Sequence, residues 1–219
     1  MNIILNGSQR IVYNDVINEL FELCPETMKR KIAEANVQQA FVLDYVRKNF
    51  NKDSNILSVG AYQDTATESL VKLGYNVTQI DPDNNMFVKT IINKDIINLD
   101  LHNYYLQNTD KKFDCILSTS VIEHVQNDEE FVDDMCKMLN IDGIGVLTCD
   151  FNNDYKAGMN KPHVDYRLYT KYDLLERLNK IIINNGCEII GEINYDGIVD
   201  FHYENCLYTF ATLTFKKIK

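Results

Sequence analysis

Four short segments hold residues whose types and spacing could do chemistry. In Val59-Gly60-Ala61-Tyr62-Gln63-Asp64-Thr65 one glycine follows an apolar run. Gly60 permits a tight turn and close approach of a ligand to backbone. Tyr62, Gln63 and Thr65 stand where further glycines would sit. The turn therefore lacks the glycine backbone on which a pyrophosphate rests at a helix N-terminus. In Ile80-Asp81-Pro82 a carboxylate lies 21 residues after Gly60. Such a group at the next strand's end is placed to accept hydrogen bonds from ribose hydroxyls. Its plainer reading is a turn aspartate before proline. Asn93-Lys94-Asp95-Ile96 sets an acid beside an apolar residue, a pairing that suits the amino group and flat face of an adenine. Phe113-Asp114-Cys115-Ile116-Leu117-Ser118-Thr119-Ser120 ends in small hydroxyl residues, and Glu123 and His124 follow. An imidazole titrates near neutrality and suits proton transfer.

Other candidates lie further along. In Lys161-Pro162-His163-Val164-Asp165-Tyr166, a carboxylate two residues from an imidazole could orient it. The two share a face only if the backbone there stays regularly extended. Asp150 and Asp154 offer two carboxylates to a cation, but no third ligand is evident, and no metal is expected. His202 and Tyr203 are acceptor-side candidates near the C-terminus.

These segments need strands to end where they stand. Residues 1–52 read mostly as helix, with Val37, Ala40, Phe41, Val42, Tyr45, Val46 and Phe50 at helical spacing. From residue 53 strands and helices alternate. Strands are expected at 55–59, 76–80, 88–92, 113–118 and 144–149, the last entered by a turn at Asp142-Gly143. Thr65-Ala66-Thr67-Glu68 fits a capping box, Asn127 opens a second helix, and Thr170 to Asp173 caps a third. Strands near 188–193 and 207–215 have no helix between them, and so favour antiparallel pairing. The expected fold is α/β: a doubly wound, mostly parallel, Rossmann-like sheet of seven strands with a C-terminal antiparallel hairpin. Ligands of such sheets bind beyond the carboxyl ends of the strands.

Composition narrows the options. A chain of 219 residues, 45% apolar, can fill one domain core spanning 1–219. Its net charge of -10 argues against a nucleic-acid partner. No apolar run is long enough to span a membrane. The first residues carry no basic or long apolar stretch, so a leader is not expected. Six widely spaced cysteines without a C-x-x-C read as reduced, buried thiols of a cytoplasmic protein. Nothing in the sequence fixes the oligomeric state.

Taken together, these motifs resemble those of class I S-adenosylmethionine-dependent methyltransferases. Val59-Gly60-Ala61 resembles their first motif and Ile80-Asp81-Pro82 the acidic ribose-binding strand end. Asp95-Ile96 is similar to the adenine-side motif. The fourth-strand segment with Val121-Ile122-Glu123-His124-Val125 is similar to an "FDxIxSxxVxEHV" pattern. Met138 to Leu147 resembles the turn into strand five, with its prolyl and second glycyl positions altered. The resemblance covers about residues 55–215. It implies S-adenosyl-L-methionine as cofactor, with Gly60, Ala61 and Tyr62 at the methionine end and Asp81 and Pro82 at the ribose. It places Asp95 and Ile96 near adenine and Ser118 beside the cofactor. The bases expected for a hydroxyl acceptor are His124 and the His163–Asp165 pair. The first acceptor expected is a sugar hydroxyl on a glycan or nucleotide sugar, with a small natural product or quinone as the alternative. Competing readings are a nicotinamide-dependent oxidoreductase and a non-catalytic partner that keeps the fold.

Overall fold

The computed structural model describes residues 1–82 and 95–219. The chain opens with strand β1 (Asn2–Leu5) and helices α1 (Gly7–Val12), α2 (Asn14–Leu23), α3 (Pro25–Met28) and α4 (Asn36–Asn49). Then come β2 (Ile56–Val59), α5 (Thr65–Lys72), β3 (Val77–Ile80), α6 (Leu101–Gln107) and β4 (Phe113–Thr119). A 3-10 turn (Ile122–His124) leads to α7 (Asp128–Met138) and β5 (Leu139–Phe151). A π-helical turn (Asp173–Arg177) enters α8 (Leu178–Asn184), and β6 (Cys187–Ile189), β7 (Ile193–Asn194), β8 (Phe201–Tyr203) and β9 (Cys206–Lys217) close the chain.

The fold is α/β and Rossmann-like, but the sheet has nine strands among the described residues rather than seven. Its order is β3-β2-β4-β5-β9-β1-β7, with β6 and β8 also paired to β9. The β3-β2-β4-β5 block is parallel, and β9 runs antiparallel to β5. Expected and observed C-terminal pairing agree in part. β6 does pair with β9, Ile189 opposite Phe215. A tighter hairpin joins β8 to β9 through Glu204 and Asn205, both at positive φ, as a two-residue primed turn requires. The expected strand at 88–92 lies outside the described residues; Ile97, beyond it, makes an isolated parallel bridge to Ile80.

The largest departure is at the N-terminus, where residues 2–5 are strand. All four are buried, and Ile4 and Leu5 pair with Ala211 and Phe210 of β9. The Asn2 side chain completes the edge: Thr214 N–H donates to its Oδ1 at 2.6 Å, and its Nδ2 donates to Ile190 O. The partner is more than 200 residues away, so local periodicity carries no trace of it.

Helices cover both faces, each over its own buried cluster. On one, Leu57, Ile116 and Leu147 pack with Tyr104, Phe131, Met135 and Leu178. On the other, Ile56, Leu117 and Val146 pack with Leu20, Phe41, Val46 and Leu70. Adjacent strand residues thus feed opposite layers, as the pleat dictates. Asp128, first residue of α7, is a polar anchor within this packing. Arg177 grips it with a fork at 2.9 and 2.7 Å, Arg167 lies at 3.1 Å, and the Tyr169 hydroxyl donates at 2.9 Å.

Candidate functional site

The carboxyl ends of β2, β3 and β4 open on one crevice. Gly60 ends β2 at φ +75, and a Cβ there would stand 2.3 Å from Val121 Cγ2. Only glycine lets the β2 and β4 loops meet, which explains the single glycine retained in this turn. Asp64 then caps α5, accepting the Thr67 N–H at 2.7 Å. The cap is therefore Asp64 rather than the expected Thr65, because its side chain reaches the third backbone donor of the helix. Asp81 follows β3 and accepts the Tyr62 N–H at 2.9 Å, which locks the two loops together. Asp81→Ala removes this carboxylate from the crevice. Cofactor affinity should fall by about 1–3 kcal/mol, read by calorimetry, while unchanged affinity would take Asp81 out of the site.

The crevice has two lobes that share Gly60, Pro82, Val121 and His124. The lobe of about 400 Å³ is lined on its apolar side by Val59, Ile80, Leu99, Val125 and Phe131, a setting for a flat ring. The lobe of about 490 Å³ is closed by Arg30, Lys31, Asn36, Gln38 and Gln39 from the N-terminal segment, and reaches Asp64, Thr119 and Ser120. Gln39 Oε1 accepts the Ala66 N–H at 3.0 Å, so α4 is tied to the start of α5. Asn36 Oδ1, Gln38 Oε1 and Asp64 Oδ2 are buried without a donor among the described residues. Buried acceptors left open in this way fit a ligand that brings its own N–H or O–H groups. Burial pulls the Lys31 ammonium below its usual value, against the opposing pull of Asp64, while burial pushes the Asp64 carboxyl up. An ammonium and a carboxyl across one lobe match the zwitterionic end of an amino-acid ligand.

His124 stands between the lobes with Asp165 behind it. Asp165 Oδ1 lies 3.0 Å from Nδ1, close enough for charge to act, although the ring N–H is not aimed at the oxygen. Burial draws the imidazole down, but Asp165 and Glu123 together raise it above its usual 6.5. Glu123 is fully buried and accepts the Ser120 hydroxyl at 2.6 Å. Ser120 itself sits at φ +56, a left-handed conformation uncommon for serine and frequent at functional sites.

The pairing expected from sequence changes partners. His163 is 77% exposed and lies 2.8 Å from Glu204, not with Asp165, which turns inward to His124. The loop turns at Pro162–Asp165, where Asp165 N–H donates to Pro162 O, so the two side chains do not share an extended face. Ser118 is buried within β4, and Thr119 and Ser120 line the crevice in its place. Ala61 is buried beneath the turn, whereas Tyr62 and Pro82 line the cavity. Asp95 is exposed and Ile96 half-buried, and neither is among the described lining residues of the two lobes. Asp150 is buried and Asp154 exposed, so they do not converge. His202 and Tyr203 are exposed on β8. Lys31, Gln38 and Gln39 gave no sequence signal beyond helix periodicity. Asp64 did, as an aspartate just before a helix.

Comparison with known proteins gives the family. Residues 26–190 match the family model described as a methyltransferase domain. The chain is 27% identical over 116 residues to a ubiquinone biosynthesis O-methyltransferase of Rickettsia bellii, covering 49% of this chain and 48% of the relative. It spans about half the length of the curated relatives it matches. Among solved structures it resembles TehB of Haemophilus influenzae, with a TM-score of 0.59 and 19% identity over 81% of this chain and 61% of that one. It also resembles the magnesium protoporphyrin IX methyltransferase of Synechocystis, solved with bound SAM, with a TM-score of 0.56 and 14% identity over 95% and 96%. With the family model covering well over half of its residues, the chain belongs to the methyltransferase-domain family.

Proposed function

We propose that the chain is an O-methyltransferase that takes the methyl group of S-adenosyl-L-methionine and places it on a hydroxyl of a small aromatic acceptor of the catechol or quinol class. The observation that carries this reading is His124, backed by Asp165, at the meeting point of the two lobes. S-adenosyl-L-methionine is the cofactor, and its sulfonium supplies an electrophilic methyl carbon. The apolar lobe suits its adenine, and Asp81 its ribose. Lys31 and Asp64 would hold its carboxylate and ammonium.

The remaining work belongs to the chain. Direct displacement at carbon gains chiefly from alignment of nucleophile and methyl. The acceptor must also lose a proton. Asp165 favours the tautomer with hydrogen on Nδ1, which leaves Nε2 to accept the hydroxyl proton. A new O–CH3 bond forms as the C–S bond breaks, and the proton ends on His124. One imidazole matches a phenolic hydroxyl, whose pKa is about 10 as in tyrosine, far better than it matches an alkyl alcohol. The ubiquinone O-methyltransferase relatives point the same way. The sugar acceptor expected from the loop after β5 loses its main support, because His163 lies outside the crevice.

Three expected results follow from these roles. Lys31→Met should weaken binding of S-adenosylhomocysteine about tenfold or more, as loss of a charged hydrogen bond does, while homocysteine-free 5′-methylthioadenosine should bind as before. The rate should rise with pH through a midpoint above 6.5, since the raised imidazole must be neutral to act. Asp165→Asn should move that midpoint down. A screen of catechols, phenols and sugars with labelled methyl donor tests the assignment. Transfer to sugars alone would overturn the aromatic acceptor.

A further inference from the structure

The apolar lobe of the crevice has a second histidine on its rim. His102, in the first turn of α6, lines it with Asp100, Asn103, Asn127 and Glu130. Its Nδ1 lies 2.8 Å from Oδ2 of Asp134 on α7. The Asp134 side chain is buried, while the imidazole is half exposed. Glu130 Oε1 stands further off, 3.9 Å from the same nitrogen. The proton transfer assigned to His124 makes no use of this pair. The other polar groups of the rim are already engaged: Asp100 accepts from Asn103 with both oxygens, and Asn127 Oδ1 accepts the Glu130 N–H. Asp95 and Ile96, expected beside the adenine, are not among the described lining residues of this lobe.

The bond made by one imidazole nitrogen sets the state of the other. An ionised carboxylate only accepts, so Nδ1 carries the hydrogen, and Nε2 of the neutral ring is left as a bare acceptor. No described residue bonds that nitrogen. Val59, Ile80, Leu99 and Phe131 offer apolar side chains to the faces of a flat ring and nothing polar to its edge. The edge of an adenine carries a 6-amino group, which needs an acceptor. We propose that His102 determines the choice of base in the methyl donor: held on Asp134 through Nδ1, it accepts a hydrogen of the adenine 6-amino group at Nε2. This rests on the adenine lying in the apolar lobe. A 6-oxo group in the same place would set one acceptor against another, and a site built to bond a donor rejects the analogue that lacks it. The bond to Asp134 raises the imidazole above its usual 6.5, desolvation opposes it, and the charges of Asp134, Glu130 and Asp100 add to the rise. Acid therefore turns Nε2 from acceptor into donor.

Calorimetry of the full chain with S-adenosylhomocysteine and with S-inosylhomocysteine, which has a 6-oxo group in place of the 6-amino group, tests this without any methyl acceptor. At mildly alkaline pH the wild type should prefer the adenine compound about tenfold or more, as expected for one hydrogen bond gained against two acceptors opposed. His102→Ala should narrow that preference to about threefold or less, chiefly by weakening the adenine compound. In the wild type the preference should also shrink as pH falls through a midpoint above 6.5, where the ring gains its second hydrogen, and His102→Ala should show no such change. A purely structural role for His102 would weaken both ligands alike and leave their ratio in place, which would overturn the proposal. So would a wild type that does not tell the two bases apart. A wild type that binds neither compound would instead overturn the methyl-donor reading on which the proposal stands.

Discussion

His124→Ala should lower kcat by about 10²–10⁴, the range a positioned general base contributes. At 1.36 kcal/mol per tenfold, this is about 3–5 kcal/mol of barrier. The affinity for S-adenosylhomocysteine should stay within about twofold, because the ring lines the meeting point of the lobes while Asp81 and Tyr62 keep the β2 and β3 loops locked. His124→Gln should be as slow as the alanine variant, since it keeps bulk and polarity but cannot take a proton. Added imidazole should restore part of the rate in His124→Ala, where the truncated ring leaves room for it. Single-turnover measurements with a catechol acceptor isolate the methyl-transfer step. A rate within threefold of wild type would remove His124 from the chemistry.

Asp128→Ala should have the largest effect on stability. The carboxylate, with its side chain 3% exposed, holds the Arg177 fork, Arg167 and the Tyr169 hydroxyl. Its loss removes the carboxylate these three donors share, leaving Arg177 with Asp173 and Glu129, Arg167 with Gln126 O, and the Tyr169 hydroxyl with Ile122 O. Losing hydrogen bonds to a charged group costs about 1–3 kcal/mol when other partners remain, out of total stabilities of about 5–15 kcal/mol. The contacts join the start of α7 to the segment entering α8, so one helical face of the sheet should loosen as a unit. Urea unfolding reads this as a lower midpoint with little change in slope. A loss below 1 kcal/mol would show that the remaining partners suffice.

The pieces legible from sequence were those set by local rules. Gly60, Asp81 and His124 each stand just past an apolar run, and parallel strands bring such ends together. The helix starting after Asn127 was equally plain, and Asn127 Oδ1 does accept the Glu130 N–H. What escaped depends on distant partners. β1 is a strand because β9 and β7, both distant in sequence, flank it. Sequence proximity pairs Asp165 with His163, two residues away, but tertiary packing gives it His124 and gives His163 to Glu204. Asp142-Gly143 has the residues of a turn, and Asp142 does sit at φ +67, but β5 runs through it. The irregularity is absorbed as a register shift opposite Phe113 and Cys115. Lys31 reaches the crevice from a segment with weak periodicity, where nothing local shows that it faces a cavity.

The proposed function requires the crevice at Gly60 and Asp81 to take an adenosyl sulfonium, and the turn there offers no glycine cradle for a pyrophosphate. Calorimetry of the full chain with S-adenosylhomocysteine, repeated in the presence of excess NAD, addresses that most directly. One site per chain is expected, weakened in Asp81→Ala and untouched by the dinucleotide. Binding of NAD at the same site, or no heat with S-adenosylhomocysteine, would contradict it.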